Sequence, residues 1–241
     1  MKLQDDTISR LLEHDPAAAR ATRGFFENYP LERSYVKGAA ALLIGTSDHR
    51  WIHCLGEAGK DLAALLSEHH AESPYYYAVA DEALPLVLAC GDADWVMSTR
   101  RYVLEEGAGV PEPRHRILPL NVSLAEYIYA NTDYREFTDP AYIRDRLDRD
   151  ISAGIAVDGT LAAWGLTHDD GALGFLHVLK THRRCGLGRD ILLALIALKR
   201  KAKRPVFCNI VPENVPAMSL LEGLGFRFDG MAHWVKMNCP A

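Results

Sequence analysis

The residues best suited to chemistry in this 241-residue chain lie between Gly171 and Gly188. An apolar run from Ala172 to Leu179 ends in a basic turn, Lys180-Thr181-His182-Arg183-Arg184. Cys185, Gly186, Leu187 and Gly188 follow, and then a strongly helical stretch from Arg189 to Lys199. Strand, glycine-bearing turn and helix, in that order, aim main-chain N–H groups and the positive end of a helix dipole at an anion. Glycine suits the turn because a Cβ would obstruct a phosphate's approach and because unusual φ values cost it little. The stretch therefore reads as a cradle for a diphosphate.

Spacing narrows the choice of cradle. A Walker-type loop needs four residues between its glycines and then Gly-Lys-Ser/Thr, which is absent; a dinucleotide fingerprint needs three glycines, and only two are present. The pattern Arg183-x-x-Gly186-x-Gly188 resembles the acetyl-coenzyme A pyrophosphate loop of the GNAT N-acyltransferase superfamily, Gln/Arg-x-x-Gly-x-Gly/Ala. A later segment, from Asn214 through Ala217 and Leu221 to Leu224-Gly225-Phe226, resembles the family's Asn-bearing helix and Leu-Gly-Phe. The resemblance covers roughly residues 115–238.

That resemblance implies a set of roles. The main-chain N–H groups of Arg184, Cys185, Gly186, Leu187 and Gly188 would hold the pyrophosphate, helped by the dipole of the helix beginning near Arg189. Arg183 would contact it or brace the loop. Backbone from Leu176, His177, Val178 and Leu179 would pair with the pantetheine amides, leaving the thioester beside a split from the strand Val206 to Ile210. An N–H near Leu179 would polarise the acyl carbonyl. Asn214, with Ala217, would meet the pantetheine arm; Asn214 equally suits the N-cap of the following helix. The implied reaction is direct attack of a primary amine, on a small molecule or amino acid, on the carbonyl of acetyl-CoA or another short acyl-CoA. No metal is needed, and proximity and orientation contribute much of the rate.

The departures matter as much. Many members carry a proton-relaying glutamate at the start of the fourth strand, where this chain has Ala172 and Leu173; many carry a tyrosine where it has Leu221. Proton handling then falls to His177, whose ordinary pKa near 6.5 suits it, to His168, Asp169 or Asp170, or to Ser219. Packing is the plainer role for His177, and a turn for Asp169-Asp170. Cys185, beside arginines at a helix start, has the setting that lowers a thiol pKa. His69-His70 read as solvated, and Tyr75-Tyr76-Tyr77 as alternating across a sheet or lining an acceptor pocket. Two rival readings stay open: a non-catalytic acyl-CoA-binding regulatory module, and a protein lysine or N-terminal acetyltransferase.

A net charge of -5 argues against a nucleic-acid partner, which needs a basic face. Five cysteines (Cys54, Cys90, Cys185, Cys208, Cys239) without C-x-x-C spacing suit reduced thiols rather than a disulfide framework or zinc site. No run approaches the roughly 18 apolar residues that span a bilayer, and Met1 to Asp6 lack a signal core. A soluble cytoplasmic protein without a membrane partner is expected. A homodimer is the assembly considered.

Along the chain, residues 4–29 read as two short helices, with Asp15-Pro16 opening the second. Ala39 to Ile44 and Arg50 to Leu55 read as a hairpin, Asp61 to His70 as a helix and Tyr75 to Ala80 as a strand. Glu82 to Cys90 reads as a helix and Asp94 to Leu104 as a strand. Glycines and prolines in 105–114 mark a linker between an N-terminal mixed α/β domain (1–104) and an acyltransferase domain (115–241). The second half reads as a strand at Ile117 to Leu120, a helix boxed by Ser123 and Glu126, and a helix from Asp139-Pro140 to about Arg149. A hairpin around Asp158-Gly159 and the strand Ala172 to Leu179 lead to the loop and its helix. The strand Val206 to Ile210, a helix at Pro216 to Gly223, and an antiparallel pair from Phe226 to Met237 complete it. The resemblance implies an α/β fold class with a mixed sheet of GNAT type. The N-terminal half resembles a degenerate copy, an arrangement similar to glycine N-acyltransferase-like proteins.

Overall fold

The computed structural model describes residues 6–14, 16–133 and 135–238; the proposed cap Asp15, the stretch Met1 to Asp5 and Cys239 lie outside them. The elements run α1 (Asp6–His14), α2 (Pro16–Asn28), β1 (Arg33–Lys37), β2 (Ala40–Thr46), β3 (Arg50–Gly56), α3 (Lys60–His69), β4 (Tyr75–Ala80), α4 (Leu84–Leu88) and β5 (Ala93–Leu104). They continue with α5 (Ala125–Asn131), α6 (Pro140–Arg149), β6 (Ser152–Val157), β7 (Thr160–Thr167), β8 (Leu173–Val178), α7 (Leu187–Lys201), β9 (Val206–Ile210), α8 (Val215–Glu222) and β10 (Arg227–Met237). One sheet has the order β1-β2-β3-β4-β10-β5-β9, the other β6-β7-β8.

Two compact units emerge: Met1–Tyr102 with Asn209–Val215 and Phe228–Ala241, and Val103–Cys208 with Pro216–Arg227. The sequence division at 105–114 puts 209–215 and 228–238 with the C-terminal half; in the structure they group with the first unit.

In the first unit, β2 is buried on both faces, and its alternating side chains serve two cores. Leu42 and Ile44 pack with Leu62, Leu65 and Leu66 of α3, while Ala41 and Leu43 pack with Ile8 and Leu12 of α1. Phe25 of α2 and Tyr29 just past its end pack on Trp51, Tyr77 and Trp234. The tyrosine run alternates as the strand period demands: Tyr76 enters one core and Tyr77 the other. Both are core residues rather than pocket lining. His69 does not stand free in solvent; its ring stacks on Tyr35 with centroids 3.6 Å apart.

One sequence expectation fails here for an identifiable reason. The pair drawn from Phe226 to Met237 is one long strand, β10, lying antiparallel to β4 in the register Ala232↔Ala80 and Lys236↔Tyr75. Asp229 sits where a turn was expected, yet Arg20 and Arg101 hold its Oδ2 at 2.7 and 2.9 Å.

In the second unit, β6, β7 and β8 form an antiparallel meander, with α7 packed against all three strands. Trp164, Leu166 and Phe175 pack with Ala125, Ile128, Ile143 and Leu147 of α5 and α6. The β6–β7 turn is as expected, Asp158 (φ 50°) and Gly159 (φ 80°) both taking the left-handed values of a two-residue hairpin. Asp139 caps α6 through the Tyr142 N–H at 2.8 Å. By contrast, Ile117 to Leu120 is no strand: Leu118 alone bridges to Gly154, and Pro119 beside it has no N–H to give a ladder. The Ser123–Glu126 box also fails, because Asn121 takes the capping role and accepts from the Ser123 N–H at 3.0 Å. The four described cysteines are free thiols.

Candidate functional site

The loop after β8 is organised by an arginine and two left-handed residues. A 3-10 turn at Lys180–His182 reverses the chain. Arg183 then folds back, its Nε donating to the Val178 carbonyl at 3.0 Å and its Nη2 to Asp133 Oδ2 at 2.9 Å. The side chain thus braces the loop. Arg184 (φ 64°) and Gly186 (φ 81°) turn the backbone into α7, and Gly186 is its N-cap. Gly186 has no side chain with which to cap this terminus, and the first hydrogen bond of the helix runs from Asp190 N–H to Gly186 O at 3.1 Å. The helix therefore begins at Leu187, two residues before the expected start, and Leu187, Gly188 and Arg189 are its first three donors. A Cβ built on Gly186 would meet open space, so the glycine is there for its φ rather than for clearance from the protein.

A cavity of about 220 Å³ opens at this terminus, lined by Arg114, His115, Cys185, Gly186, Arg189 and Asp190. Three of those residues carry basic side chains. Asp190 is buried, and its Oδ2 accepts from the Arg114 and His115 main-chain N–H groups at 2.9 Å each and from His115 Nδ1 at 2.6 Å. Burial works to raise its pKa, but the His115 side chain and the two amides outweigh it and hold the carboxyl below its ordinary value. Sequence reasoning passed over Asp190, Arg114 and His115; an acidic residue in the first turn of an otherwise apolar helix was the available signal. Asp190→Ala should leave two amides without their acceptor and lower stability by about 2–3 kcal/mol, read by urea unfolding.

The strand feeding the loop has an open edge: among the described residues β8 pairs only with β7 in its three-stranded sheet, and β9 belongs to the other sheet. The register slips between Trp164↔His177 and Leu166↔Gly174, so Phe175 and Leu176 bulge; Phe175 is at φ 49°. The Leu179 N–H, proposed as the polarising donor, is committed to Ala162 O at 2.9 Å. By the alternation of an antiparallel strand, Val178 turns its amide to the open edge instead, and Arg183 occupies its carbonyl.

The proposed proton handlers have different neighbours. His177 is 6% exposed, its ring stacked on Trp164 at 4.7 Å, with Nδ1 3.8 Å from Asp133 Oδ2. Burial lowers its pKa; Asp133 pulls the other way, and Arg183 and Lys180 add to the lowering. The His168 ring covers Gly174, where a built Cβ would fall within 2.1 Å of its Nε2. Ser219 is exposed on α8, and Ala217 is half-buried there. Leu221 is 3% exposed, a core residue of that helix. Asn214 immediately precedes α8, at the N-cap position, and groups with the first unit. Asp169 and Asp170 do form the β7–β8 turn, but a buried one. Cys185 is exposed, with Sγ 3.6 Å from Arg183 O. Among the described residues no group of three or more His, Cys, Asp and Glu is placed to hold a metal ion, and no helix is long and apolar enough to cross a membrane.

The family model described as FR47-like protein matches residues 153–235. A GCN5-related N-acetyltransferase from Kribbella flavida superposes with a TM-score of 0.59 at 16% identity, covering 93% of this chain and 95% of that one. The fold is that of the GNAT acetyltransferases. A Drosophila protein gives a TM-score of 0.68 at 19% identity over 92% of this chain and 88% of its own. A tandem GNAT protein from the clavulanic acid biosynthesis pathway gives 0.55 at 16% identity over 92% and 89%. Among curated proteins no sequence matches the chain. The main-chain donor groups at the head of α7 suit an anion such as a phosphate.

Proposed function

We propose that the chain is an N-acyltransferase that moves an acetyl or other short acyl group from its coenzyme A thioester to a small primary amine, an amino acid being the first class to test. One observation carries the reading: the head of α7, with glycine at its N-cap, presents successive main-chain donors one short loop after a strand that, among the described residues, has an unpaired edge. Leu187, Gly188 and Arg189 donate to the pyrophosphate, Arg183 keeps the loop in shape, and the Val178 N–H pairs with the pantetheine arm. The thioester supplies an activated acyl carbon, and the chain's own contribution is to hold it and the amine in register. The glycine N-acyltransferase-like branch is proposed on the same footing, supported by a match that spans nearly all of a tandem GNAT protein.

A specific feature favours a second reading, a non-catalytic acyl-CoA-binding module: Ala172 and Leu173 stand where many members carry an acid, and Leu221 is buried where many carry a tyrosine. Titration calorimetry with coenzyme A and a thiol-release assay with acetyl-CoA over small amines, amino acids and a lysine peptide separate these. Binding with turnover on a small amine supports the transferase; binding without turnover on any acceptor supports the module, and release only with the peptide points to a protein acceptor. His177→Phe is expected to keep the Trp164 stack; if turnover survives within about threefold, His177 packs rather than moves protons, because loss of a general base costs about 100-fold or more.

A further inference from the structure

The first unit holds a serine–histidine–aspartate relay that acyl transfer at the α7 loop does not use. Ser98 on β5 has its Oγ 2.8 Å from His233 Nδ1 on β10, and His233 Nε2 is 2.9 Å from Asp81 Oδ1 just past the end of β4. The three strands are neighbours in the order β4-β10-β5, so adjacent rungs of one sheet bring together residues up to 152 positions apart. The Thr99 hydroxyl, donating to Ala232 O at 3.1 Å, ties the two strands beside the pair. His233 is buried and Ser98 half-buried, whereas the Asp81 side chain is 62% exposed.

The polarity of the relay is fixed by its acid. Asp81 can only accept, so it selects the tautomer with the proton on Nε2, and that leaves Nδ1 as a bare base facing the Ser98 hydroxyl. This is the arrangement that activates a serine: nucleophile, base within hydrogen-bond reach, and a third group orienting the base. By the two-residue period of a strand, Val96 and Arg100 share the Ser98 face. Val96 is exposed, and the Arg100 guanidinium lies over the Phe228 ring at 4.6 Å. An apolar side chain and a cation thus flank the hydroxyl, fitting a small acyl ester whose developing negative charge meets Arg100.

We propose that Ser98 is a nucleophilic serine, activated by His233 and Asp81, that takes an acyl group from small acyl esters and releases it to water. As the Oγ–C bond forms, the hydroxyl proton passes to Nδ1. The ester C–O bond then breaks, and the alcohol leaves with that proton. Water, deprotonated by the same Nδ1, attacks the acyl-serine; the carboxylic acid departs and Ser98 regains its proton. No oxidant or metal enters the balance.

The full chain is incubated with a fluorophosphonate, which forms an Oγ–P bond and expels fluoride, and the labelled peptide is identified by mass. Labelling at Ser98, lost in Ser98→Ala, is expected. His233→Ala should slow labelling about 100-fold or more, as for loss of a general base. Asp81→Asn should slow it only about three- to fivefold, because an exposed charge couples weakly. Ser98→Cys keeps a nucleophile and should keep a burst of p-nitrophenol from p-nitrophenyl acetate. If Ser98→Ala fails to fold, labelling of the unaltered chain and its dependence on His233 decide the matter. An unlabelled Ser98, or labelling as fast in His233→Ala as in the unaltered chain, overturns the proposal and leaves the three residues as a structural network. Coenzyme A titration of the same preparations reads the acyl-CoA site separately, so failure here leaves that reading intact.

Discussion

Replacing Gly186 with aspartate is expected to cut coenzyme A affinity by about 100-fold or more, equivalent to roughly 2.7 kcal/mol, with little change in stability. Aspartate is among the few residues that tolerate the left-handed backbone that φ 81° requires, so the loop can keep its course. Its carboxylate would stand at the N-cap and accept the helix's own first N–H groups, filling the donors meant for phosphate. Hydrogen bonds to a charged group contribute about 1.5–3 kcal/mol each, so losing even one costs most of the predicted amount. Repulsion between the carboxylate and a phosphate about 4 Å away adds roughly 1 kcal/mol in water and more where the site is shielded. Gly186→Ala separates the two effects. Alanine leaves the donors open but meets about 1–2 kcal/mol of left-handed strain, so it should lower the unfolding midpoint more than it lowers affinity. Calorimetry and chemical unfolding on the two variants check the ordering, and equal losses of affinity would contradict it.

The second large effect lies in the β7–β8 turn. Asp170 is 1% exposed, and burial, with Asp169 beside it, pushes its pKa up to about 7 from an ordinary 3.8. The Ala172 amide, Lys199 and Arg146 oppose that shift without cancelling it. Between those two pKa values the folded chain binds a proton that the unfolded chain has released. Stability must then fall as pH rises from about 4 to about 7 and level off above, by up to roughly 4 kcal/mol for a shift of about three units. Groups with lowered pKa, Asp190 and Glu72 among them, slope the other way, because their contribution is lost on acidification. The difference between the unaltered chain and Asp170→Asn isolates the term. Asparagine keeps an acceptor for the Ala172 N–H, now at 2.8 Å, and removes the titration. Unfolding free energies at pH 5, 6, 7 and 8 should give a difference curve that declines toward pH 7 and is flat beyond it. A flat difference throughout would mean that Lys199, whose Nζ lies 2.8 Å from Gly171 O in the same turn, keeps Asp170 ionised.

Much of this was legible locally. Tyr75–Ala80 and Val206–Ile210 are strands with the bounds that apolar runs and flanking breakers predict, and Asp139 and Asp158-Gly159 do the capping and turning that their types favour. The strand β1 was missed because it is an edge: Arg33, Ser34, Val36 and Lys37 are exposed and only Tyr35 is half-buried, so no apolar period marks it. The β10–β4 pairing was invisible for another reason, since a ladder joining Lys236 to Tyr75 has no local signature. At the site, the main-chain donors followed from two glycines and an arginine, because backbone direction is what glycine spacing encodes. Side-chain roles did not follow. Whether His177 faces a cleft or packs on Trp164 depends on a bulge at Phe175 that its own sequence does not announce. The relay at Ser98 joins three strands, and no single window contains it.

The position of β10 inside the first sheet has a consequence for how the chain is made. Residues 227–237 fill the gap between β4 and β5, so a nascent polypeptide that has emerged only as far as Leu104 exposes the facing edges of two unsatisfied strands. Closure waits on a segment far beyond Leu104 in the chain, and such a distant partner makes for slow assembly and a window of vulnerability to clumping. A stop codon placed just before Arg227 would leave those edges bare for good.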